Sequence, residues 1–239
     1  MNYLLDSHTH TIASGHAYNT IYEMAHSAAD KGLSLLGITE HAMAMPGTCH
    51  ELYFMNLKVV PRTLCGIEVL FGAEANIIDL DGGLDMKEKV LQRMDVVVAS
   101  LHTVCIEPGS CERNTNAYLK AMENPFVNII GHPDDGRFPV DYDTVAAAAK
   151  EQHVLLELNN SSLDPRGARM NALENDRKLL QCCMKYGTSI ILDSDAHCAA
   201  DVGRHDYSGR LIEEMQFPEE LIVNRSVEIY KSYLKRYEK

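Results

Sequence analysis

Most histidines of this chain stand at the downstream end of a short apolar run. Seven of the eleven, spread from position 8 to position 197, are candidate ligands, and all of these but His16 belong to this pattern. The runs read LLDSHTH (4–10), LLGITEH (35–41), VVVASLH (96–102), VNIIGHP (127–133) and IILDSDAH (190–197). Imidazole is the commonest metal ligand, and a barrel of parallel strands brings the downstream ends of its strands to one rim. The pattern therefore predicts a metal-dependent hydrolase.

The first of these segments ends in a closely spaced pair, His8 and His10. Side chains two apart on a strand face the same way, so both rings can hold one cation. Asp6 shares that face and is expected to support a ligand through a hydrogen bond. His16 follows in a Ser-Gly-His loop, which can fold back over the same rim.

A carboxylate and an imidazole extend the set on the next two strands. Glu74 stands in GAEAN, inside an apolar strand, where burial is costly unless a cation or a donor compensates it. A carboxylate can bridge two metals about 3.5–4 Å apart, the spacing that holds both the attacking and the leaving oxygen of a phosphoryl group. The alternative is a satisfied core glutamate. His41 is the better ligand candidate of Glu40-His41, and Glu40 is either a support or a helix start.

Later strand ends supply the remaining candidates. His102 and His132 follow the fourth and fifth strands, and Asp195 and His197 fit as ligands on one face of IILDSDAH. Asp193 shares that face and is as good a candidate for hydrogen-bonding support. The candidate ligands therefore number nine: seven His, one Glu and one Asp. Imidazole and carboxylate without thiolate favour Zn, Mn or Fe.

The elements that must position these residues alternate along the chain. IEVLFGAEANII (67–78) and HVLLELNN (153–160) complete seven strand candidates, whose continuous apolar character is typical of parallel strands covered on both faces. Helical patterns separate them at 20–31, with Asn19 as N-cap, and at 86–93, 114–123, 141–151 and 170–186. An open doubly wound sheet would alternate in the same way. A closed α/β barrel is preferred, because only a ring lets ligands from at least six strands meet.

Length and charge limit the class of protein. The 239 residues suffice for one large core, and we expect a single domain over 1–239, with a loop after 200 and an amphipathic C-terminal helix over 218–239 on the outside. No apolar run reaches membrane-span length and no signal peptide is visible, so we expect a cytoplasmic protein. The net charge of −12 disfavours nucleic acid, although three divalent cations would offset half of it and admit a small phosphorylated substrate.

The cysteines suggest free thiols rather than a framework of disulfides. Their number is seven, and no C-x-x-C is present. An odd count without regular spacing is typical of a protein from a reducing compartment. Cys105 and Cys111 are the one pair that could meet in a loop.

The order H-x-H, a third His, Glu-His, a strand Glu, two single His and D-x-H resembles the PHP superfamily, named for its polymerase and histidinol phosphatase members. Together with NLKVVPRTLCGIEVLFGAEANI (56–77), it is most similar to the compact YcdX-like branch, over roughly 4–200. The resemblance implies a distorted, TIM-like (β/α)7 barrel with three divalent metal ions at its C-terminal rim. Zinc is the expected metal, with manganese and iron as alternatives. The resemblance also implies three ligand sets: His8, His10, Glu74 and Asp195; Glu74, His102 and His132; and His16, His41 and His197.

On this basis we expect phosphomonoester hydrolysis by a hydroxide shared between the two metals that Glu74 bridges. Arg137 and Arg204 are candidate phosphate clamps, because guanidinium groups match phosphate oxygens. Asn159 and Asn160 end the strand without a ligand and are candidate substrate contacts. His205 is a candidate general acid for the leaving group.

Other readings stay open at this point. Amidohydrolases also begin with H-x-H, but they normally need an eighth strand and a bridging Lys or acid after the fourth, where His102 stands here. Histidinol phosphatase and phosphodiesterase or nuclease activities remain open within the superfamily, and the acidic charge counts against the nuclease. A non-catalytic metal-binding regulatory protein is the alternative of a different class. A homo-oligomer through the C-terminal helix is also open.

Overall fold

Seven parallel strands form the central sheet of the computed structural model, which describes residues 3–234. The strands of the described chain are β1 (Leu5–Asp6), β2 (Leu35–His41), β3 (Thr63–Leu64), β4 (Ile67–Asn76), β5 (Val97–Ser100), β6 (Ile129–Ile130), β7 (Leu155–Asn159) and β8 (Ile190–Asp193). Their order is β1-β2-β4-β5-β6-β7-β8, and only β3 runs antiparallel, beside β4. The predicted seven-stranded α/β barrel is confirmed, and every predicted strand lies in its predicted segment.

Helices cross over between these strands. They are α1 (Ile21–Asp30), α2 (Glu51–Asn56), α3 (Glu88–Leu91), α4 (Cys111–Glu123), α5 (Tyr142–Gln152), α6 (Ala172–Tyr186), α7 (Asp206–Met215) and α8 (Val227–Ser232). The five predicted helices are present, but Thr20 rather than Asn19 caps α1, through a reciprocal pair with Glu23. The Asn19 side chain instead accepts the backbone N–H of Ala199 at 2.8 Å. No helix of the described residues is long and apolar enough to cross a membrane.

The chain after residue 200 differs from expectation. Residues predicted as a loop form α7. Asn160, which directly follows β7, caps its first backbone N–H groups through Oδ1, at 2.9 Å from Tyr207 N and 3.0 Å from Ser208 N. The continuous helix predicted over 218–239 is wrong across its described part, where two short 3-10 turns precede α8. The physical reason is pairing with the sheet, since Ile222 bridges to Ile190 and Asn224 Oδ1 accepts Leu192 N–H. Residues 235–239 of that prediction lie outside the described part.

The barrel closes at the seam between β1 and β8. Asp193 Oδ1 accepts the backbone N–H of Ser7 at 2.6 Å, and in return Asp6 Oδ1 accepts the backbone N–H of Ser194 at 3.1 Å. Beyond this reciprocal pair Thr9 bridges to Ala196 as in a parallel sheet. Asp6 and Asp193 therefore bond residues of the seam and hold the ends of β1 and β8 side by side. Among the described residues neither bonds a ligand ring, as was expected of Asp6.

Two apolar layers cover the strands, one on the outside of the barrel and one in its interior. Side chains such as Phe71, Leu156 and Leu192 pack outward against the helices. A second cluster fills the barrel interior and contains Leu70, Val98 and Ile129 together with Tyr230 and Leu234 from the C-terminal segment. The α8 region therefore plugs the barrel end opposite the functional rim instead of lying on its outside.

The cysteines are free thiols throughout the described residues. All seven lie in that part of the chain, and Cys105 and Cys111 form no disulfide. The exposed fraction varies from buried Cys183 to exposed Cys65 and Cys111.

Candidate metal centre

Glu74 stands at the meeting point of five histidine rings. It lies on β4 and is fully buried. Its Oε1 is 2.8 Å from His132 Nε2 and 3.3 Å from His102 Nε2. Its Oε2 faces the other three rings, at 2.6 Å from His41 Nδ1, 3.4 Å from His8 Nε2 and 3.6 Å from His10 Nε2. One carboxylate therefore faces two groups of imidazoles, one through each oxygen.

Asp195 adds a second carboxylate beside the same rings. Its Oδ1 is 3.3 Å from His10 Nε2, 3.6 Å from His197 Nδ1 and 3.8 Å from His8 Nε2. The residue has a positive φ of 53°, a left-handed conformation that turns the chain sharply after β8. This turn brings Asp195 over the end of β1, beside the rings of His8 and His10.

A third group of imidazoles lies toward the solvent. The ligand atoms of His10, His41 and His197 are all within 4.8 Å of one another. The His16 ring is 4.8 Å from that of His41 and 4.9 Å from that of His197, and His16 is exposed. The structure thus brings all nine residues predicted as ligands to one end of the barrel.

Several buried polar atoms of this centre have no hydrogen-bond partner among the described residues. They are His8 Nε2, His10 Nε2, His41 Nδ1 and Glu74 Oε2. Buried polar atoms are nearly always hydrogen-bonded, so these atoms, which lie close together without hydrogen-bond geometry, fit a bound ligand. Divalent cations fit, because the cluster combines imidazole nitrogens with carboxylate oxygens, the donor set that suits Zn, Mn and Fe.

The opposite ring nitrogens are held by neighbouring groups. His8 Nδ1 is 2.7 Å from Glu157 Oε1, His10 Nδ1 is 3.1 Å from Ser14 Oγ, and His102 Nδ1 is 2.8 Å from Asn76 Oδ1. Such partners fix which nitrogen carries the proton and leave the other free to bind a metal.

Glu40 belongs to this supporting layer, which resolves the alternative left open by the sequence. It is fully buried, accepts the Ser14 hydroxyl at 2.6 Å and also bonds Thr11 and Tyr53. Ser14 in turn accepts the backbone N–H of His41 at 3.0 Å. Glu40 therefore stabilises the loop between the two ligand candidates His10 and His16.

The electrostatics suit metal binding. Burial lowers the pKa of His10 well below its ordinary value, and the nearby His41 and His197 lower it further. Burial also lowers the pKa of His102 and, with the same two neighbours, that of His16.

The two carboxylates behave in the opposite way. Burial alone would raise their pKa values, but the surrounding imidazoles, His102 first for Glu74 and His8 first for Asp195, hold both well below the usual range. His8 is the exception among the rings, because Glu157, Glu74 and Asp195 together outweigh burial and raise its pKa. Charged carboxylates beside rings whose pKa values are lowered, as for His10, His16 and His102, suit the protonation states that metal ligands require.

A polar cavity of about 330 Å³ adjoins this centre on the side of Asp195 and His197. Arg204 and Asn160, both predicted as substrate contacts, line it. The Arg204 guanidinium is held by Asp206 at 2.8 Å and by Asp164 at 3.4 Å. Asn160 is 2 % exposed and uses its side-chain oxygen to cap α7, so its main contacts are within the protein.

Arg137 and His205 lie elsewhere. Arg137 is paired with Asp135 through three contacts and reaches Thr103 Oγ at 3.4 Å, on the flank of His102. The buried ring of His205 packs edge-on against Tyr3. Tyr3 lies before β1, whereas His8 and His10 lie just after it. Among the described residues no contact joins His205 to the centre, so its role as general acid stays a prediction without support from its surroundings.

Two residues of the centre escaped the sequence reasoning. Glu157, on β7, is fully buried and bonds His8. The signal was present, because Glu157 stands in the apolar run VLLELNN just as Glu74 stands in GAEAN. Arg169 donates to Asp195 Oδ2 at 3.0 Å and to Ser162 Oγ at 3.0 Å. It comes from an irregular loop after β7, where no periodicity marks it.

Comparisons with known proteins agree with this geometry. The sequence profile of the PHP domain matches residues 6–163. A protein of Acetivibrio thermocellus named probable phosphatase is 45% identical over 99% of this chain and 97% of its own length. A probable phosphatase of Caldicellulosiruptor saccharolyticus is 46% identical over 98% of this chain and 97% of its own length.

Two solved structures share the fold at low sequence identity. Histidinol phosphate phosphatase from Lactococcus lactis, crystallised with zinc, L-histidinol and phosphate, superimposes with a TM-score of 0.62 at 19% identity, over 90% of this chain and 94% of that chain. A chain of an archaeal ribonuclease P, determined with mature tRNA, gives a TM-score of 0.58 at 15% identity, over 98% of this chain and 90% of that chain. At these identities the likeness concerns the fold alone.

Proposed function

This chain belongs to the PHP domain family and is a phosphatase of that superfamily, and from this premise we propose that it hydrolyses a small phosphomonoester at a centre of three divalent cations. The observation that carries the proposal is the convergence of five histidine nitrogens within 3.6 Å of the two oxygens of buried Glu74. The non-catalytic alternative has no support from relatives named as phosphatases over nearly their whole length.

The proposed ligands divide into three sets, two of which share Glu74. The proposed sets are His8, His10, Glu74 and Asp195; Glu74, His102 and His132; and His16, His41 and His197. Of the groupings of ligand atoms found in the structure, His8, His10 and Glu74 fall within the first set. The other two join neighbouring sets, His10 with His41 and His197, and His41 with Glu74 and His102. Zinc is proposed first, because the donors suit it and the structural neighbour from Lactococcus lactis contains it. Manganese and iron remain alternatives.

Bound cations would supply a hydroxide near neutral pH and offset the negative charge that develops on the phosphoryl oxygens. The chain itself contributes position and charge. Glu74 stays ionised and keeps two ligand groups in register, while the deep burial of His8 and His10 excludes bulk water from the inner side of the centre. No nucleophilic Ser or Cys is needed in this scheme.

Arginine side chains provide the donors that a phosphate needs. Arg169 is 16 % exposed and is held against Asp195, so its guanidinium reaches the edge of the centre with little loss of conformational freedom. Arg204 faces the polar cavity beside Asp195 and His197. We assign Arg169 and Arg204 to binding the phosphate group and the part of the substrate next to it. Arg137 remains a candidate phosphate contact on the side of His102.

The size and polarity of the cavity point to a small, polar leaving group. About 330 Å³ lined by Asn160, Ser161, Asp164 and Arg204 accommodates a compact hydroxylated or charged group. Histidinol phosphate is one such compound, and the structural neighbour was solved with L-histidinol and phosphate. The acidic surface disfavours a polynucleotide.

Hydrolysis of a substrate panel tests the proposal, measured as inorganic phosphate from the monoesters, nitrophenolate from the diester and ring opening of the amide. The zinc-loaded and the manganese-loaded protein are assayed with sugar phosphates, nucleoside monophosphates, histidinol phosphate, bis-nitrophenyl phosphate and a cyclic amide. We expect hydrolysis of phosphomonoesters only, abolished by chelator and restored by metal. Hydrolysis of the diester alone would replace the proposal by a phosphodiesterase, and hydrolysis of the amide alone would refute phosphatase chemistry.

A further inference from the structure

Strand β7 carries none of the nine proposed ligands, yet its Glu157 lies directly behind two of them. The residue is fully buried and both of its oxygens are used. A buried carboxylate is retained at a cost in desolvation, so the contacts that compensate it indicate its role. Those contacts lead to His8 on one side and to His132 on the other.

The contact with His8 fixes a ring. Glu157 Oε1 lies 2.7 Å from His8 Nδ1, so the imidazole donates its Nδ1–H to the carboxylate. The remaining nitrogen, Nε2, then points at Glu74 Oε2, 3.4 Å away, and at Asp195 Oδ1, 3.8 Å away. A rotation of this ring would remove Nε2 from the first ligand set.

The contact with His132 fixes a backbone. Glu157 Oε2 accepts the His132 backbone N–H at 2.6 Å. His132 has a φ of 29°, a conformation that is strained for a residue with a side chain and must be held by its surroundings. The His132 Nδ1 has no hydrogen-bond partner among the described residues. The ring itself is held only at Nε2, which faces Glu74 Oε1 at 2.8 Å, so its support from behind comes through the backbone and thereby from Glu157.

We propose that Glu157 is a positioning residue that sets His8 for one metal and His132 for another through a single carboxylate. The inference rests on the ligand sets of the proposed function and adds to them a residue outside all three. The third set, His16, His41 and His197, has no contact with Glu157 among the described residues. Loss of Glu157 should therefore weaken the two sites that contain Glu74 and leave the third unchanged.

Zinc binding by the folded protein tests this selectivity. Titration of metal-free parent, Glu157→Gln and Glu157→Ala with zinc chloride against a chromophoric chelator gives an affinity for each equivalent. Loss of an orienting partner typically weakens a metal site about 10- to 100-fold. Alanine removes both contacts, so two of three equivalents should weaken in E157A while the third keeps the parent affinity. Glutamine has one acceptor oxygen and can serve only one donor, so E157Q should fall between the two.

Asp176→Asn is the matched control. Asp176 is also a fully buried carboxylate, on α6, but it has no contact with a proposed ligand among the described residues. Replacing its carboxyl group by an amide should leave all three zinc affinities unchanged. If E157A binds all three equivalents like the parent, or weakens all three equally, the inference is overturned. A parent protein that binds no zinc contradicts the proposed function itself, which separates the two failures.

A measurement on the parent protein covers the case in which E157A does not fold. In the zinc-loaded parent, ¹⁵N NMR of the histidine rings should show a proton on His8 Nδ1 and none on Nε2. The opposite tautomer would overturn the inference, because Glu157 would then face an unprotonated nitrogen. For turnover, kcat should fall in E157Q with little change in KM, and Glu157→Asp should recover part of it.

Discussion

The carboxylate of Asp193 accepts the backbone N–H of Ser7 at 2.6 Å across the seam of the barrel. At this point a side chain of β8 takes the place of a backbone acceptor. The same carboxylate accepts the Ser7 hydroxyl at 3.0 Å. Because the segments that carry His8 and Asp195 continue from these two residues, a side chain here aligns the first and last parts of the centre.

Replacing Asp193 by alanine should destabilise the metal-free protein. The change leaves the buried N–H of Ser7 without an acceptor, and such a loss costs about 1–3 kcal/mol. The measurement is the free energy of unfolding in urea with chelator present. Asp143→Ala, which breaks an exposed ion pair with Lys185 and a bond from the Tyr186 hydroxyl, is the control and should cost clearly less. Equal stability of the D193A variant and its parent would show that the seam bond contributes nothing.

Arg169 should contribute to substrate binding and turnover. Hydrogen bonds to charged groups contribute about 1.5–3 kcal/mol, so Arg169→Ala is expected to lower kcat/KM for a phosphomonoester by roughly 10- to 150-fold. Arg166 is the control, since its side chain is 80 % exposed and paired with Asp164 on the outer edge of the cavity. The R166A variant should change kcat/KM less than about threefold. Steady-state kinetics of the two variants provide the check, and identical losses would contradict the assignment to Arg169.

Asp176 should make stability depend on pH. Burial, followed by repulsion from Asp134 and Glu157, raises its pKa well above the ordinary value, although Arg169 opposes the shift. A carboxyl with a raised pKa binds its proton more tightly in the folded chain than in the unfolded chain. Its contribution to stability is therefore largest at low pH and is lost as pH rises through the folded-state pKa.

We accordingly expect Asp176→Asn to gain stability relative to the parent as pH rises from about 5 to about 8, by roughly 1 kcal/mol. Urea unfolding of the metal-free proteins at several pH values measures the difference. A constant difference across the range would be inconsistent with a raised pKa of Asp176.

The cysteines should differ in reactivity despite being free. Burial raises the pKa of Cys49 and of Cys105 to about 11, so at pH 8 only about one molecule in a thousand carries the reactive thiolate at either position. Cys65 and Cys111 are exposed. We expect a fast phase of about two thiols with Ellman's reagent, assigned by the C65S and C111S variants. A fast phase that persists in the double variant would contradict this order.

Much of the fold and the centre could be predicted from the sequence, because ligand-type residues interrupt apolar strands where burial would otherwise exclude them. His8, Glu74 and Asp195 were visible in this way, and so were the strands that carry them. Glu157 carried the same signal but no histidine beside it, so it was missed. Arg169 and the helix α7 depend on contacts made only in the folded chain, with Asp195 and Asn160 respectively, and no local pattern reports those contacts.

The C-terminal segment was misjudged for a related reason. Its apolar residues have helical spacing in the sequence, but Asn224 binds β8 and Tyr230 enters the barrel interior. Pairing with the sheet overrides the local preference of residues 218–226. Long-range pairing of this kind follows from the closed seam, which the sequence pattern does not specify.

Phosphate release by the zinc-loaded Glu74→Gln variant tests the central claim most directly. Glutamine keeps the shape of the side chain but removes the charge that faces both groups of imidazoles, so turnover of a phosphomonoester should fall by about a thousandfold or more. Circular dichroism and thermal unfolding of the variant should match those of the parent. Release at the parent rate from a folded E74Q variant would contradict a centre organised by Glu74.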